Sequence, residues 1–436
     1  MINCNLNNRD FSLPKNIIET TDSINQIKLM HKPDTSQEIL TVVDNSGEIV
    51  VLTIDLIKDE KKRIKSDKYE VINTKKYSSK ITFHDNSPWS VDCKYPYIII
   101  GSNNRTVFVF NYEENQENNE LNINNNNLIS NNSVIYKGNA NNIPSVTISE
   151  NGLFIGNNSI DKSFKIFDFY TGELILSEKN PRNEWGWGIK FIPKNLFAIK
   201  EFEFESIDLR KSDNLVNQAL ILYKIDQLNL SNPSHYDENE LNKIPYKDLN
   251  DYEKYIKINL IDKYYILTTC NHCAGLYSFD YKFEEGNNNK KKLVSIPLGK
   301  IELSRIYIRD LFMDVFQPDY GTMYRINGIY QSSRYEFSFY SKNMNLILLG
   351  SKAGDLHIFE MNLYHDKNNK LIGVEDEPNA LITFGSKIAG MKFIEKSDND
   401  NGRKVIDIFA MTLSGVFYYY KIIQDNNFWE SHFEEE

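Results

Sequence analysis

The sequence contains little cysteine and no long run of apolar residues. Only four of its 436 residues are cysteine (Cys4, Cys93, Cys270 and Cys273), too few for a disulfide framework in a chain of this length. No apolar segment approaches the ~18 residues that a membrane-spanning helix needs, and the polar start MINCNLNNRD lacks the parts of a secretory signal. We therefore expect a soluble protein of a reducing compartment, without attachment to a membrane.

The chain also has fewer basic than acidic residues. It carries 50 Lys and Arg against 60 Asp and Glu, which gives a net charge of -10 and a pI near 5.4. The protein as a whole does not attract phosphate backbones or anionic lipid. We expect protein partners and no direct binding of nucleic acid. The basic run Lys61–Lys65 is either a nuclear targeting signal or a solvated loop.

Familiar catalytic and phosphate-binding motifs are missing from the sequence. There is no phosphate-binding glycine loop, no Gly-x-Ser-x-Gly elbow and no His-Glu-x-x-His helix. The stretch Cys270–Cys273 (CNHC) has metal-ligand spacing, but a closed zinc site needs four ligands and the chain has no second cysteine pair. We interpret it as a turn with free thiols, and we expect no metal, no cofactor and no enzymatic activity.

Aromatic and β-branched residues are abundant and recur in one repeated unit. Aromatic residues make up 13% of the chain, with 26 Tyr and 25 Phe, which favours strands. Each unit is a short apolar strand, a polar or glycine-containing turn and a second apolar strand, with a further short strand upstream of most copies. The copies lie at 40–55, 97–112, 153–168, 265–280, 346–360 and 406–420. A fourth strand follows Gly172, so each copy is predicted to be a four-stranded blade of a β-propeller.

The third copy contains the clearest local motif. Asp161, Ser163, Phe167 and Asp168 follow the WD40 pattern, in which the turn Asp holds loop backbone and the aromatic residue packs between blades. Phe167-Asp168 stands where Trp-Asp is usual, and the Gly-His element is missing. The pattern indicates a degenerate WD40 repeat.

The whole chain, 1–436, is predicted to be one all-β, WD40-like propeller of about seven four-stranded blades. The seventh is a weaker copy assembled from 186–191, 197–202 and 219–225. Copies recur every ~61 residues against ~40–45 in compact WD40 repeats, so the excess must lie in loops. Long polar insertions are predicted at 58–79, 113–132, 203–218, 229–255, 282–292 and 396–403.

Three tryptophans are candidates for contact with a partner. Trp185 and Trp187 alternate with glycine just before a strand, and Trp89 begins another strand. On a propeller rim such residues anchor protein partners, whereas between blades they fill the core. Both interpretations are open. An enzyme with its active site in the central channel is a further alternative, but the predicted innermost strands at 89–92 and 144–148 carry few acids or histidines.

Short segments along most of the chain resemble the ascomycete CRT-ten family, WD40-repeat regulators of ribonucleotide reductase genes. The segments, in the family's order, are 24–28 (INQIK), 89–92 (WSVD), 142–146 (NIPSV), 186–188 (GWG), 325–327 (RIN) and the stretch leading to 350–356 (GSKAGDL). Asn141 departs from the family, because relatives tend to have His there.

The resemblance implies a non-enzymatic propeller of the nucleus and cytoplasm that represses these genes, as a monomer within a complex. It also implies a substrate-recruiting role with a cullin-type ubiquitin ligase, its adaptor and regulatory proteins. Phe167–Tyr170 lacks the Trp-Asp-x-Arg with which many ligase receptors dock their adaptor. A cytoplasmic trafficking or coat scaffold is the alternative function.

Overall fold

The protein is described here by a computed structural model. It describes residues 16–18, 24–35, 37–55, 70–72, 79–83, 87–113, 120–123, 133–201, 244, 246–284, 287–303, 334–365, 371–374, 378–398, 403–425 and 428–435. The chain, predicted to be one domain, divides into two compact units at residues 1–191 and 192–436. Each unit is built mainly from antiparallel strand pairs, so the fold class is all-β as predicted.

Fifteen strands of the described residues lie wholly within the first unit. They are β1 (Asn16–Ile18), β2 (Ile24–His31), β3 (Gln37–Asp44), β4 (Glu48–Asp55), β5 (Glu70–Ile72), β6 (Ser79–Phe83), β7 (Pro88–Lys94), β8 (Tyr97–Ser102), β9 (Val107–Asn111), β10 (Glu120–Ile123), β11 (Ser133–Tyr136), β12 (Ser145–Ile148), β13 (Phe154–Ser159), β14 (Ser163–Asp168) and β15 (Leu174–Lys179). Their three main sheets have the orders β10-β6-β4-β3-β2, β11-β9-β8-β7 and β12-β13-β14-β15. Strand β10 is parallel to β6, and β1 pairs with β5 in a separate ribbon.

The remaining strands begin at the boundary or lie in the second unit. They are β16 (Gly188–Pro193), β17 (Ala198–Glu201), β18 (Tyr264–Thr269), β19 (Cys273–Glu284), β20 (Asn287–Glu302), β21 (Tyr335–Ser341), β22 (Leu346–Ser351), β23 (Asp355–Glu360), β24 (Asn362–His365), β25 (Leu371–Val374), β26 (Ala380–Thr383), β27 (Ile388–Asp398), β28 (Arg403–Thr412), β29 (Phe417–Asp425) and β30 (Phe428–Glu435). The sheet orders are β16-β18-β19-β20, β21-β22-β23-β26, β27-β28-β29-β30 and β17-β24-β25.

One α-helix occurs in the described part of the chain, α1 (Asp251–Ile256), and it continues into a π-helical turn at Lys257–Ile261. Asn250 caps it, because its side chain accepts a hydrogen bond from the Glu253 amide while Glu253 bonds back to the Asn250 amide. Short 3-10 turns lie at Pro181–Asn183, Lys194–Leu196 and Tyr246–Asp248. Over the described ranges, no helix combines the length and apolar character needed to cross a bilayer.

Within the first unit, successive sheets pack face to face through alternating side chains. In the second sheet, Ile98 and Ile100 belong to a core shared with the first sheet, whereas Ile99 belongs to one shared with the third. This alternation follows from the two-residue period of a strand. Strands β13 and β14 are buried at every position, as expected for central strands covered on both faces.

The repeated hairpins are confirmed, but the described residues form six blades rather than about seven. The predicted seventh copy is not a separate sheet. Residues 188–193 (β16) form the first strand of the sheet that contains 265–280, and 198–201 (β17) pair with β24. Both strands are far in sequence from their partners β18 and β24, so the sequence contains no signal of these pairings. The predicted strand at 219–225 lies outside the described residues.

The predicted insertions have different outcomes. The segment 203–218 lies outside the described residues, and 58–79, 113–132 and 396–403 are described only in part. The segment 229–255 includes most of α1. The prediction of a loop at 282–292 is wrong: β19 and β20 continue their ladder through Phe283 and Lys291, because their side chains alternate and extend the hairpin.

Candidate functional site

The WD40-like turn lies between β13 and β14 of the third sheet. Asp161 accepts hydrogen bonds from the Ser163 amide at 3.0 Å and the Ala140 amide at 2.8 Å, and from the Ser163 hydroxyl. Its second oxygen lies 3.4 Å from the ammonium of Lys165, whose side chain is only 5% exposed. The carboxylate thus ties the loop before β12 to the turn before β14.

Burial has opposite effects on the two charges of this pair. It acts to raise the pKa of Asp161, but the hydrogen bonds from Ser163 and Ala140 and the Lys165 ammonium hold that pKa below its usual value. For Lys165, burial lowers the pKa more than Asp161 raises it. The ion pair fixes the turn. The interactions of Asp161 offset the effect of burial on its pKa, whereas those of Lys165 do not.

Phe167 and Asp168 lie at the other end of β14. Phe167 is 1% exposed and packs edge-to-face on Tyr136 in the core between the second and third sheets. Asp168 is buried and accepts hydrogen bonds from the amides of Tyr170 at 2.9 Å and Thr171 at 2.8 Å. Both side chains therefore point into the protein, and neither offers contact to a partner.

The loops at one end of the second and third sheets form a continuous surface, which we call the loop face. It consists of 87–89, 102–106, 137–144, 160–163 and 179–187. The strand registers place all five segments at the same end of the two sheets, since β7, β12 and β14 begin there and β8, β11, β13 and β15 end there.

Hydrogen bonds hold the segments of the loop face together. The amide of Ile143 donates to Ser102 O at 3.3 Å, and the amide of Ile160 donates to Asn142 O at 3.1 Å. The amide of Gly186 donates to Ser159 O at 3.0 Å. Because neighbouring loops are joined through main-chain atoms, this surface is largely preorganised for binding.

Glycine is required at one position of this network. A Cβ at Gly186 would lie 1.8 Å from Oδ1 of Asn158. That amide accepts a hydrogen bond from Asn180 at 2.8 Å and donates one to Gly188 O at 2.9 Å. The tight Trp-Gly-Trp-Gly segment thus lets the loop before β16 lie directly on a buried asparagine pair.

The three predicted tryptophans lie on the loop face but differ in exposure. Trp185 and Trp89 are half-buried, whereas Trp187 is 5% exposed. Partly exposed tryptophans combine a large apolar area with a fixed position, as at the centre of many interfaces. Of the three, Trp185 and Trp89 are therefore placed to contact a partner, and Trp187 is part of the core.

The loop face is cationic although the whole chain is acidic. Its segments contain five basic residues (Arg105, Lys137, Lys162, Lys179 and Arg182) and two acidic residues (Asp161 and Glu184), a net charge of +3. Both acids are buried. The first four cations form no ion pair with any residue in the described part of the chain. The accessible charge of this surface is therefore positive.

Asn139 adds a buried amide to the base of the loop face. The residue is 8% exposed, and neither Nδ2 nor Oδ1 has a hydrogen-bond partner among the described residues. Buried amides are rarely left unpaired, because desolvation without a hydrogen bond costs ~1–3 kcal/mol. Both polar atoms of this side chain lie beneath the surface where the loops converge.

Asp92 has a role that sequence reasoning did not find. It lies within β7 and bridges the first strands of three sheets. Its Oδ1 is 2.6 Å from Nζ of Lys28 on β2, and its Oδ2 accepts from the amide of Ile148 on β12 at 3.1 Å. The local sequence Trp-Ser-Val-Asp gives no signal for this bridge, because Lys28 and Ile148 are distant from Asp92 in the sequence.

The Cys270–Cys273 stretch is the turn between β18 and β19. The Cys270 amide donates to Cys273 O at 2.8 Å, and both free thiols are fully buried. Within the described ranges, no three His, Cys, Asp or Glu side chains cluster closely enough to hold a metal ion.

Comparison with known proteins gives little beyond the architecture. No family model matches the chain, and no curated protein matches its sequence. Among solved structures, the chain is similar to the crystal structure of the WD40 β-propeller domain of Doa1, with 10% identity, 92% of this chain and 79% of that chain covered, and a TM-score of 0.44. The sheet orders given above, and not this similarity, define the chain as an all-β protein of propeller blades.

Proposed function

We propose that the protein is a non-enzymatic interaction scaffold and that the loop face is its partner-binding surface. The observation that carries this proposal is the combination of hydrogen-bonded loops with two half-buried tryptophans, Trp89 and Trp185, at one end of two adjacent sheets. A rigid surface loses little entropy on binding, and a few aromatic anchors supply most of the affinity.

The proposal extends to gene regulation through the resemblance to the CRT-ten family. We assign the chain a role in repressing transcription of ribonucleotide reductase genes, acting through protein partners in the nucleus and cytoplasm. Recruitment of substrates to a cullin-type ubiquitin ligase is part of the same proposal. The support is the ordered set of family-like segments, three of which, 89–92, 142–146 and 186–188, lie on or beside the loop face.

The test is affinity purification of the tagged full chain from cells, with partners quantified for the wild type and for Trp185→Ala. Tyr252→Ala is the matched control, because Tyr252 is 38% exposed and lies on α1, which is not part of the loop face. We expect Trp185→Ala to lose partners that Tyr252→Ala retains. Equal recovery by both variants would refute the loop face as the binding surface.

The identity of the recovered partners tests the finer role. A cullin and its adaptor would support the ligase role, and a rise in ribonucleotide reductase transcripts after deletion of the gene would support the repressor role. Vesicle-coat subunits, with unchanged transcripts, would instead favour a trafficking scaffold.

A further inference from the structure

Five turns that join the second and third strands of a sheet can be compared at their fourth residues. The turns are 44–47 (DNSG), 102–105 (SNNR), 159–162 (SIDK), 351–354 (SKAG) and 412–415 (TLSG). In each, the fourth residue has a positive φ: 92° at Gly47, 109° at Gly354 and 85° at Gly415, but 69° at Arg105 and 70° at Lys162.

Glycine adopts this left-handed backbone without cost, whereas a residue with a Cβ does so unfavourably, and arginine and lysine have no local means of compensating. Three of these five turns have glycine at the fourth position. The two turns that instead carry a cation are neighbours, and both belong to the loop face. Unfavourable backbone conformations concentrate where a side chain serves binding.

Because these two turns carry a cation where the other three have glycine, we propose that the loop face binds an acidic segment of its partner, an extended peptide rich in Asp and Glu. This inference rests on the proposed function and names the chemistry of the partner. Charge complementarity supports it, since the surface has a net charge of +3 within a chain of net charge -10.

The distribution of the cations favours carboxylates over a phosphate group. Segments 102–106, 137–144 and 160–163 each contribute one basic residue, and 179–187 contributes Lys179 and Arg182. Single charges that are spread over four segments match carboxylates spread along a peptide. A phosphate dianion is better held where several donors converge on one point.

The test is a fluorescence-anisotropy titration of the full chain with a labelled peptide rich in Glu and Asp. A same-length peptide with Gln and Asn, a phosphoserine peptide and a short single-stranded RNA are the comparisons. We expect the acidic peptide to bind most tightly and its affinity to fall as salt is raised. Tighter binding of the RNA or the phosphopeptide, or equal binding of the neutral peptide, would overturn the assignment.

The variant Arg105→Gly/Lys162→Gly separates binding from folding. Because glycine suits both φ angles, the unfolding midpoint of this variant should be no lower than that of the wild type. The affinity of the variant for the acidic peptide should fall about tenfold, the loss expected for two partly exposed charge contacts. Lys263→Gln/Lys282→Gln is the matched control, since both lysines are exposed and lie outside the loop face. These two substitutions remove the same amount of charge. Equal losses in both variants would contradict the proposal.

The second variant Lys137→Gln/Lys179→Gln alters no left-handed residue and should also weaken binding. Retained affinity in this variant would likewise overturn the inference. If the acidic peptide does not bind but Trp185→Ala still loses partners from cells, only the acidic chemistry is wrong. If neither effect is seen, the proposed function itself is wrong.

Discussion

The bridge formed by Asp92 yields a quantitative prediction for the variant Asp92→Asn. The substitution keeps the size of the side chain, and its amide oxygen can still accept from Ile148. Its amide nitrogen, however, then faces the ammonium of Lys28, a donor against a donor. One strand-to-strand contact is thereby lost between the first and second sheets.

The expected cost follows from the geometry of this ion pair. Breaking a fully buried charge pair costs ~3–5 kcal/mol, and a hydrogen bond to a charged group contributes ~1.5–3 kcal/mol. The Asp92 side chain is 10% exposed, but that of Lys28 is 34% exposed, so solvent screens part of the attraction. We therefore expect Asp92→Asn to lower the free energy of unfolding by about 2–3 kcal/mol.

The pH dependence gives a second readout of the same pair. Burial acts to raise the pKa of Asp92, but Lys28, Lys190 and the Ile148 amide together hold it below its usual value. A carboxyl group with a depressed pKa contributes stability that is fully present above its unfolded pKa and is lost as the pH falls through its folded pKa. The wild type should therefore lose stability below pH ~4 more steeply than Asp92→Asn.

The assay is urea unfolding followed by tryptophan fluorescence and far-UV circular dichroism, at neutral and acid pH. Lys28→Met and the double variant complete a mutant cycle, in which a coupling energy of about 1 kcal/mol or more is expected for a real pair. An unchanged urea midpoint for Asp92→Asn, together with an unchanged acid slope, would refute the bridge.

Three further outcomes follow from the structure. Gly186→Ala should lower the free energy of unfolding by about 2–4 kcal/mol, because the added Cβ displaces the side-chain amide of Asn158 and leaves it unpaired. Gly390→Ala is the control: nothing lies within 4 Å of its added Cβ, so the urea midpoint should stay nearly unchanged. Phe167→Ala should cost ~3–5 kcal/mol in the same assay, as expected for removal of a buried ring, and a cost below 1 kcal/mol would contradict the placement. The buried thiols of the Cys270–Cys273 turn should resist iodoacetamide in the native protein, and intact-mass measurement of rapid alkylation there would contradict their burial.

The hairpins were predictable because their signal is local. In 153–168, two apolar runs flank a polar turn, and the structure has β13 and β14 at those positions. Such a pair needs only neighbouring residues to specify it. The fourth strand after Gly172 was likewise visible, since it follows its partner by a short turn.

The assembly of distant strands could not be read in the same way. Strand β16 pairs with β18, more than seventy positions apart from first residue to first residue, and the sequence between them gives no signal of that pairing. The blade count was wrong for this reason. The charge bridge from Asp92 to Lys28 and to Ile148 also depends on the packing of separate sheets, which periodicity does not specify.

The loop face was only partly predictable. Trp89 and Trp185 were identified as candidates from their residue type and their position beside a strand. Their half-buried state depends on how the surrounding loops pack in three dimensions. The cations at Arg105 and Lys162 gave no motif. Their significance comes from φ angles of 69° and 70°, which appear only once the turns are compared in three dimensions.

Hydrogen exchange measured by mass spectrometry tests the central claim most directly. The full chain would be compared alone and saturated with a partner recovered from cells. The account predicts slower amide exchange at 102–106, 137–144, 160–163 and 179–187, with little change at α1 or in the turn at 412–416. Protection confined to the second unit, with the four segments of the first unit unchanged, would contradict it.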